Sequence, residues 1–139
     1  LINRPVLQSL NSVKYLMIRN YSNPLWRLTH DSLTQFGDVK VLQNKYNIPF
    51  GYTYDKFITT SEFESLSSMQ REYTSLKACV VADNESNGLT KFDLKDTVAF
   101  NNFSFDVYKA GVDNLKADTI QLSKLENNHL KGSITSSKN

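Results

Sequence analysis

The chain of 139 residues carries one cysteine, one tryptophan, two histidines, three prolines and five glycines. A single cysteine excludes an intrachain disulfide and a cysteine-rich zinc site. Cys79 sits in the apolar run Ala78-Cys79-Val80-Val81-Ala82 and reads as a small buried hydrophobe, because a reactive thiol wants a basic or helix-start setting. No apolar run approaches the roughly 18 residues of a membrane span. Charge of one sign is also missing: sixteen basic against fourteen acidic residues leave +2, spread along the chain. That excludes the clustered basic face of a nucleic-acid binder and the polybasic patch of a membrane-surface binder. His30 and His129 lie far apart, each without a second His, Cys or carboxylate at ligand spacing, so neither a metal nor a cofactor is expected. His30 and Asp31 are adjacent, and neighbours on a strand point to opposite faces, which makes them a poor acid-base pair. A Gly-x-Ser-x-Gly elbow and a phosphate-binding glycine loop are both lacking.

What remains is the composition of a globular chain, 40% hydrophobic and 12% aromatic, at the common size of one domain. It is organised around Asn44-Lys45-Tyr46-Asn47-Ile48-Pro49-Phe50-Gly51-Tyr52-Thr53-Tyr54-Asp55. The alternating run Asp38 to Gln43 leads into it with Val39 and Val41 on one face, as a strand does. Asn47, Pro49 and Gly51 punctuate the backbone, and Phe50, Tyr52 and Tyr54 then share one face of a second short strand.

Upstream, Asn3 and Pro5 predict a helix start, with Val6, Leu7 and Leu10 on one side of a helix ending near Asn11. Val13 to Ile18, β-rich and nearly all apolar, predicts a central strand. Asn20 to Pro24 reads as a loop, and the alternation of Trp26, Leu28 and His30 predicts a strand. Ser32–Phe36 and Val39–Gln43 form a hairpin around Gly37-Asp38. Downstream, a capping box from Ser61 to Glu64 and a second start at Ser67 or Ser68 predict helices. Met69, Tyr73, Leu76 and Val80 form a core stripe at helical spacing, packed on the sheet of Val13–Ile18. Asp83 to Gly88 is polar and turn-prone and reads as a linker; Asp83 and Glu85 there lack the spacing of a calcium loop. Beyond it, Phe103, Phe105 and Val107 alternate as a strand, Ala110 to Asn114 turns, and Ile120 with Leu122 begins another strand. Asn127-Asn128 turns, Leu130, Gly132 and Ile134 share a strand face, and Ser136 to Asn139 turns again. The expected fold is therefore α+β or α/β. A small mixed sheet with packed helices occupies residues 1–83, and β-strands like the start of a truncated β-sandwich occupy residues 84–139.

Four segments, taken in order, resemble the YfhO family of bacterial integral membrane proteins. Val13-Lys14-Tyr15-Leu16 is similar to its "VKYLI" strand, and Asn44 to Asp55 to its "N-K-Y-x-L-P-x-G-F-x-Y-D" run. Ala78-Cys79-Val80-Val81-Ala82-Asp83 resembles its "A-V-V-L-D", and Asn127 to Thr135 the start of its following β-domain. The resemblance implies an extracytoplasmic piece of a multi-spanning, glycosyltransferase-like protein. Such a parent uses a lipid-linked sugar donor and decorates a cell-envelope polymer such as lipoteichoic acid. The start at Leu1, without a signal peptide, fits a piece cut from something longer. The family's catalytic acids belong to loops beside its membrane helices, and no position here matches them. The fragment alone is thus expected to be catalytically silent, with the rest of the parent and a glycopolymer as its partners.

A free-standing carbohydrate or cell-wall binding module is the competing reading. Under either, the place for a ligand surface, if the chain has one, is around Trp26, Tyr52 and Tyr54. Sugar CH faces stack on aromatic rings, and Asn44, Asn47 and Asp55 supply polar partners. Burial of the same rings in the core is the favoured account, since their bodies are apolar and only the polar tip needs a partner.

Overall fold

The structure, a computed structural model, describes residues 4–19, 23–85, 88–126 and 129–136. It is an α+β fold whose chain divides into two compact units, Leu1–Ile48 and Pro49–Asn139. The expected boundary at 83/84 is replaced by one inside the Asn44–Asp55 stretch. The physical reason is strand pairing. Strand β4 (Lys56–Thr59) is hydrogen-bonded in parallel to both β5 (Cys79–Val81) and β6 (Thr90–Lys91), so the polar stretch from Asp83 to Gly88 joins two strands of one sheet.

In the first unit, helix α1 (Pro5–Leu10) opens with Pro at its first position, where a missing N–H is harmless. Its cap is Arg4; Asn3 lies outside the described residues. Strands β1 (Tyr15–Ile18), β2 (His30–Phe36) and β3 (Val39–Asn44) form an antiparallel sheet in the order β1-β3-β2. The β2–β3 hairpin turns at Gly37-Asp38 as expected, with a bulge between Ser32 and Thr34. The segment expected to be central, β1, is an edge strand, and Tyr15 and Met17 on it are exposed.

Residues Pro24–Thr29 form helix α2 instead of the expected strand. The Asn23 side chain accepts a hydrogen bond from Leu25 N (3.0 Å) and Pro24 takes the first turn, a start signal stronger than three alternating apolar residues. Trp26 on α2 is buried with Ile18 and Leu42, with Leu16 packed against the cluster.

In the second unit, Thr59 caps helix α3 (Thr60–Ser65) in a reciprocal box with Glu62, two residues ahead of the expected box. Ser67 and Gln70 do the same for α4 (Ser68–Thr74). Tyr73 and Leu76 are fully buried, whereas Val80, expected on the same stripe, belongs to β5 and is exposed. A 3-10 helix (Leu94–Phe100) follows β6. Helix α5 (Phe105–Ala117) occupies the segment expected to be a strand and a turn. Tyr108, Gly111, Val112 and Leu115 are its buried face, at the i, i+3, i+4, i+7 spacing of a helix.

Gly111 lets α5 close on the segment after α4: a Cβ there would stand 2.9 Å from Leu76 Cβ. The Tyr73 ring lies 5.2 Å from Phe100 and 6.3 Å from Phe103, so α4, the 3-10 helix and α5 share one aromatic core.

Strands β7 (Gln121–Glu126) and β8 (His129–Ser133) pair as an antiparallel hairpin at the places expected. Among the described residues this is a two-stranded sheet, and a β-sandwich is not formed. The turn at Asn127-Asn128, and parts of the expected turns at Asn20–Pro24, Asp83–Gly88 and Ser136–Asn139, lie outside the described residues.

Candidate functional site

The six residues expected to face a ligand fall into different settings. Trp26 is 6% exposed and fills the core of the first unit. Asn44, 1% exposed, has both ends of its amide engaged: Nδ2 donates to Val13 O (3.0 Å) and Oδ1 accepts from Tyr46 N (2.9 Å). It ties the lead-in of β1 to the end of β3. Neither side chain is open to a sugar, which corrects the expected platform. The reason is ordinary: an apolar indole and a buried amide are most stable where the fold satisfies them. Asn47 is half-buried in the same unit.

Tyr52, Tyr54 and Asp55 belong to the second unit, all half-buried. The two tyrosine rings meet edge to face at 5.5 Å. The expected strand through them reduces to a single bridge, Tyr52 to Thr119. Gly51 permits the approach. Its φ is +80°, its carbonyl accepts from Ile120 N (2.8 Å), and a Cβ would stand 2.7 Å from Ile120 Cγ2. The Tyr54 hydroxyl donates to Ser75 O (2.6 Å), and burial, with Tyr52 adding to it, pushes its pKa well above the usual phenol range. Tyr54 is thus a fixed neutral donor.

Asp55 lines a cavity of about 240 Å³ together with Lys56, Lys77, Ala110, Gly111 and Asn114. Three segments build it: the start of β4, the turn after α4, and the α5 face on which Ala110 and Asn114 lie one turn apart. The Lys77 ammonium rides 5.1 Å from the Phe100 ring centroid, which anchors its stem. Of these walls, Asp55 alone is among the residues the sequence singles out. Ala110 and Asn114 fall in a segment that reads as a turn, and only the helical spacing of Tyr108, Val112 and Leu115 carries the signal that places them.

A second hollow, about 340 Å³, opens at the carboxyl ends of β4 and β6, lined by Glu62, Lys91, Phe92, Asp93 and Leu94. The strand order β5-β4-β6 returns across β4 here, the place where open parallel sheets gather ligands. The polar groups of this end are already paired. Lys91 Nζ sits 2.7 Å from Glu62 Oε1, and Thr59 Oγ1 donates to Glu62 Oε2 (2.9 Å). Asp83 accepts from the Ser61 N–H and hydroxyl, and Asp93 caps the Lys95 N–H. Lys91 and Thr59 hold the Glu62 carboxyl below its usual range against an opposing desolvation, and Ser61 does the same for Asp83. Both are stabilised as carboxylates, the opposite of a general acid. Burial raises the Cys79 thiol, whose Sγ donates to Lys56 O (3.5 Å), so it is a poor nucleophile at neutral pH.

Among the described residues, no three His, Cys, Asp or Glu side chains group to hold a metal ion. Among the same described residues, no helix is long and apolar enough to cross a membrane. Set against protein-family models, curated proteins and solved structures, the chain has no match in any of the three.

Proposed function

We propose that this chain is an extracytoplasmic, non-catalytic part of a membrane glycosyltransferase-like protein, and that its second unit engages the cell-envelope polymer its parent decorates. The observation that carries the binding reading is the convergence of Asp55, Lys56, Lys77 and Asn114 on one cavity of about 240 Å³. That is below the roughly 300–1,000 Å³ of a drug-sized ligand site and suits a single sugar ring or a polyol-phosphate unit. A carboxylate and an amide offer acceptors and donors to hydroxyls, while two ammonium groups suit an anionic link. The parent's lipid-linked donor and its transfer chemistry belong to other parts of that protein. A free-standing cell-wall binding module would use the same cavity. Gene sequence beyond both ends separates the two readings: upstream membrane spans favour the first, a signal peptide and anchor the second.

The test is a titration of the isotope-labelled chain with lipoteichoic-acid fragments and with neutral oligosaccharides. Binding is expected to shift the amides of Asp55, Lys56 and Ala110–Asn114. Asp55→Asn, which removes a charged hydrogen-bond partner, should weaken it about tenfold. Unchanged spectra, or equal affinity in the variant, would remove the cavity from the function. Mixed with lipid-phosphate sugars and acceptor, the chain should show no turnover. Turnover abolished by replacing Asp31, Asp55 or Asp83 with Asn would overturn the non-catalytic assignment.

A further inference from the structure

His30 closes the corner between α2 and β2, where its backbone N–H donates to Trp26 O. Its side chain is 2% exposed. Thr29 Oγ1 lies 2.8 Å from Leu25 O, to which it donates, and 2.8 Å from His30 Nδ1. A hydroxyl has one proton. With that proton on the Leu25 carbonyl, the short contact to the imidazole is satisfied only if Nδ1 carries a hydrogen and donates to Thr29 Oγ1. The ring is then the neutral Nδ1–H tautomer, and Nε2 presents a bare lone pair. Nε2 is buried and meets no hydrogen-bond partner among the described residues.

Protonation would put an N–H at Nε2 where no acceptor stands, and would leave a cation in the interior. The charged groups that act on the ring come from two elements. Lys45, in the turn after β3, opposes a second positive charge; Asp31, the next residue on β2, favours it. The two are 3.6 Å apart, so each offsets part of the other. Arg27 in the last turn of α2 is exposed, and Asn44, the β3 residue paired with His30, is uncharged.

We infer that His30 is an acid-sensitive latch on the first unit: the neutral Nδ1–H imidazole locks the α2–β2 corner, and uptake of one proton from solvent at Nε2 opens it. The direction of the linkage is set by burial, which lowers the folded pKa from 6.5. The stabilisation is present in full above that unfolded value and is lost as pH falls below it toward the folded value. What the latch releases is α2, and with it Trp26.

The test uses the full chain with His129→Gln, so that His30 is the one histidine left. Long-range nitrogen–proton correlation of the ring at neutral pH should show the Nδ1–H tautomer. Amide exchange of His30 and Lys45, whose N–H groups donate to Trp26 O and Thr29 O, is then followed from pH 7.5 downward, corrected for intrinsic rates. Linkage to one proton raises their opening equilibrium by up to about tenfold per pH unit. Additional His30→Gln should flatten that slope. An Nε2–H tautomer, a ring that titrates at its ordinary pKa while these amides stay closed, or equal slopes with and without His30 would each overturn the inference. The first two readings need no variant at position 30, so a His30→Gln chain that fails to fold leaves them decisive.

Discussion

Replacing Tyr73 with Phe removes one oxygen from a fully buried side chain, and the structure shows what that oxygen does. It donates to Ser104 O at 2.9 Å and accepts from Ser104 N at 2.7 Å, so one hydroxyl satisfies both backbone groups of a single residue. Ser104 is the N-cap of α5, its side chain accepting from Val107 N and its carbonyl from Tyr108 N. In the Phe variant the Ser104 N–H loses its acceptor in a part-buried place, a loss of about 1–3 kcal/mol. Tyr73→Ala adds the cavity left by a ring that packs on Phe100 and Phe103, and should reach about 3–5 kcal/mol. Urea titration followed by far-ultraviolet circular dichroism gives the two totals. Exchange of the Val107 and Tyr108 amides localises the Phe effect to the first turn of α5. A Phe variant as stable as the parent, with those amides unchanged, would show that the hydroxyl bridge contributes nothing. An Ala variant within about 1 kcal/mol of the parent would remove Tyr73 from the core.

Gly51→Ala should lower the melting temperature by an amount equivalent to about 1–3 kcal/mol, since a side chain at φ +80° is strained and its Cβ meets Ile120; an unchanged melt would refute the close approach. Glu62 is stabilised as the carboxylate by Lys91 and Thr59, so its contribution is present above its unfolded pKa of 4.5 and lost as pH falls below it. With a quarter of the Glu62 side chain and over half of the Lys91 side chain exposed, Glu62→Gln should flatten the acid limb by no more than about 0.5–1 kcal/mol. A larger effect in pH-resolved urea melts would mean that the pair is far less screened than its exposure implies.

The elements legible in the sequence are those whose signal is local. The β2–β3 hairpin follows from alternation around Gly37, and the starts of α3 and α4 from hydroxyl-x-x-Glu/Gln spacing, although Thr59 rather than Ser61 wins the first cap because its backbone is extended there. Helices α2 and α5 escape a reading in which aromatic alternation outweighs the caps. Asn23-Pro24 and Ser104 both start helices, and burial at 26 and 29, or at 108, 111, 112 and 115, follows the helical period. The parallel pairing of β4 with two strands far along the chain leaves no local trace, which is why the stretch from Asp83 to Gly88 resembles a domain boundary. The candidate cavity is legible only at Asp55. Its other walls depend on where a helix and a turn meet, and no spacing rule encodes that.

The burial of Trp26 bears on how the molecule can be watched by light. It is the one indole in the chain, buried with the apolar Ile18 and Leu42 and with Leu16 packed against them, so blue-shifted emission is expected of it. The cavity at Asp55 has no indole among its lining residues, and the rings beside Asp55 in sequence are the phenols of Tyr52 and Tyr54. Indole emission therefore reads the α2–β2 corner directly, and opening of the latch at His30 in acid is expected to shift it to the red. A sugar entering the cavity is instead followed by tyrosine absorbance or by nuclear resonance, at the rings and amides that lie beside it.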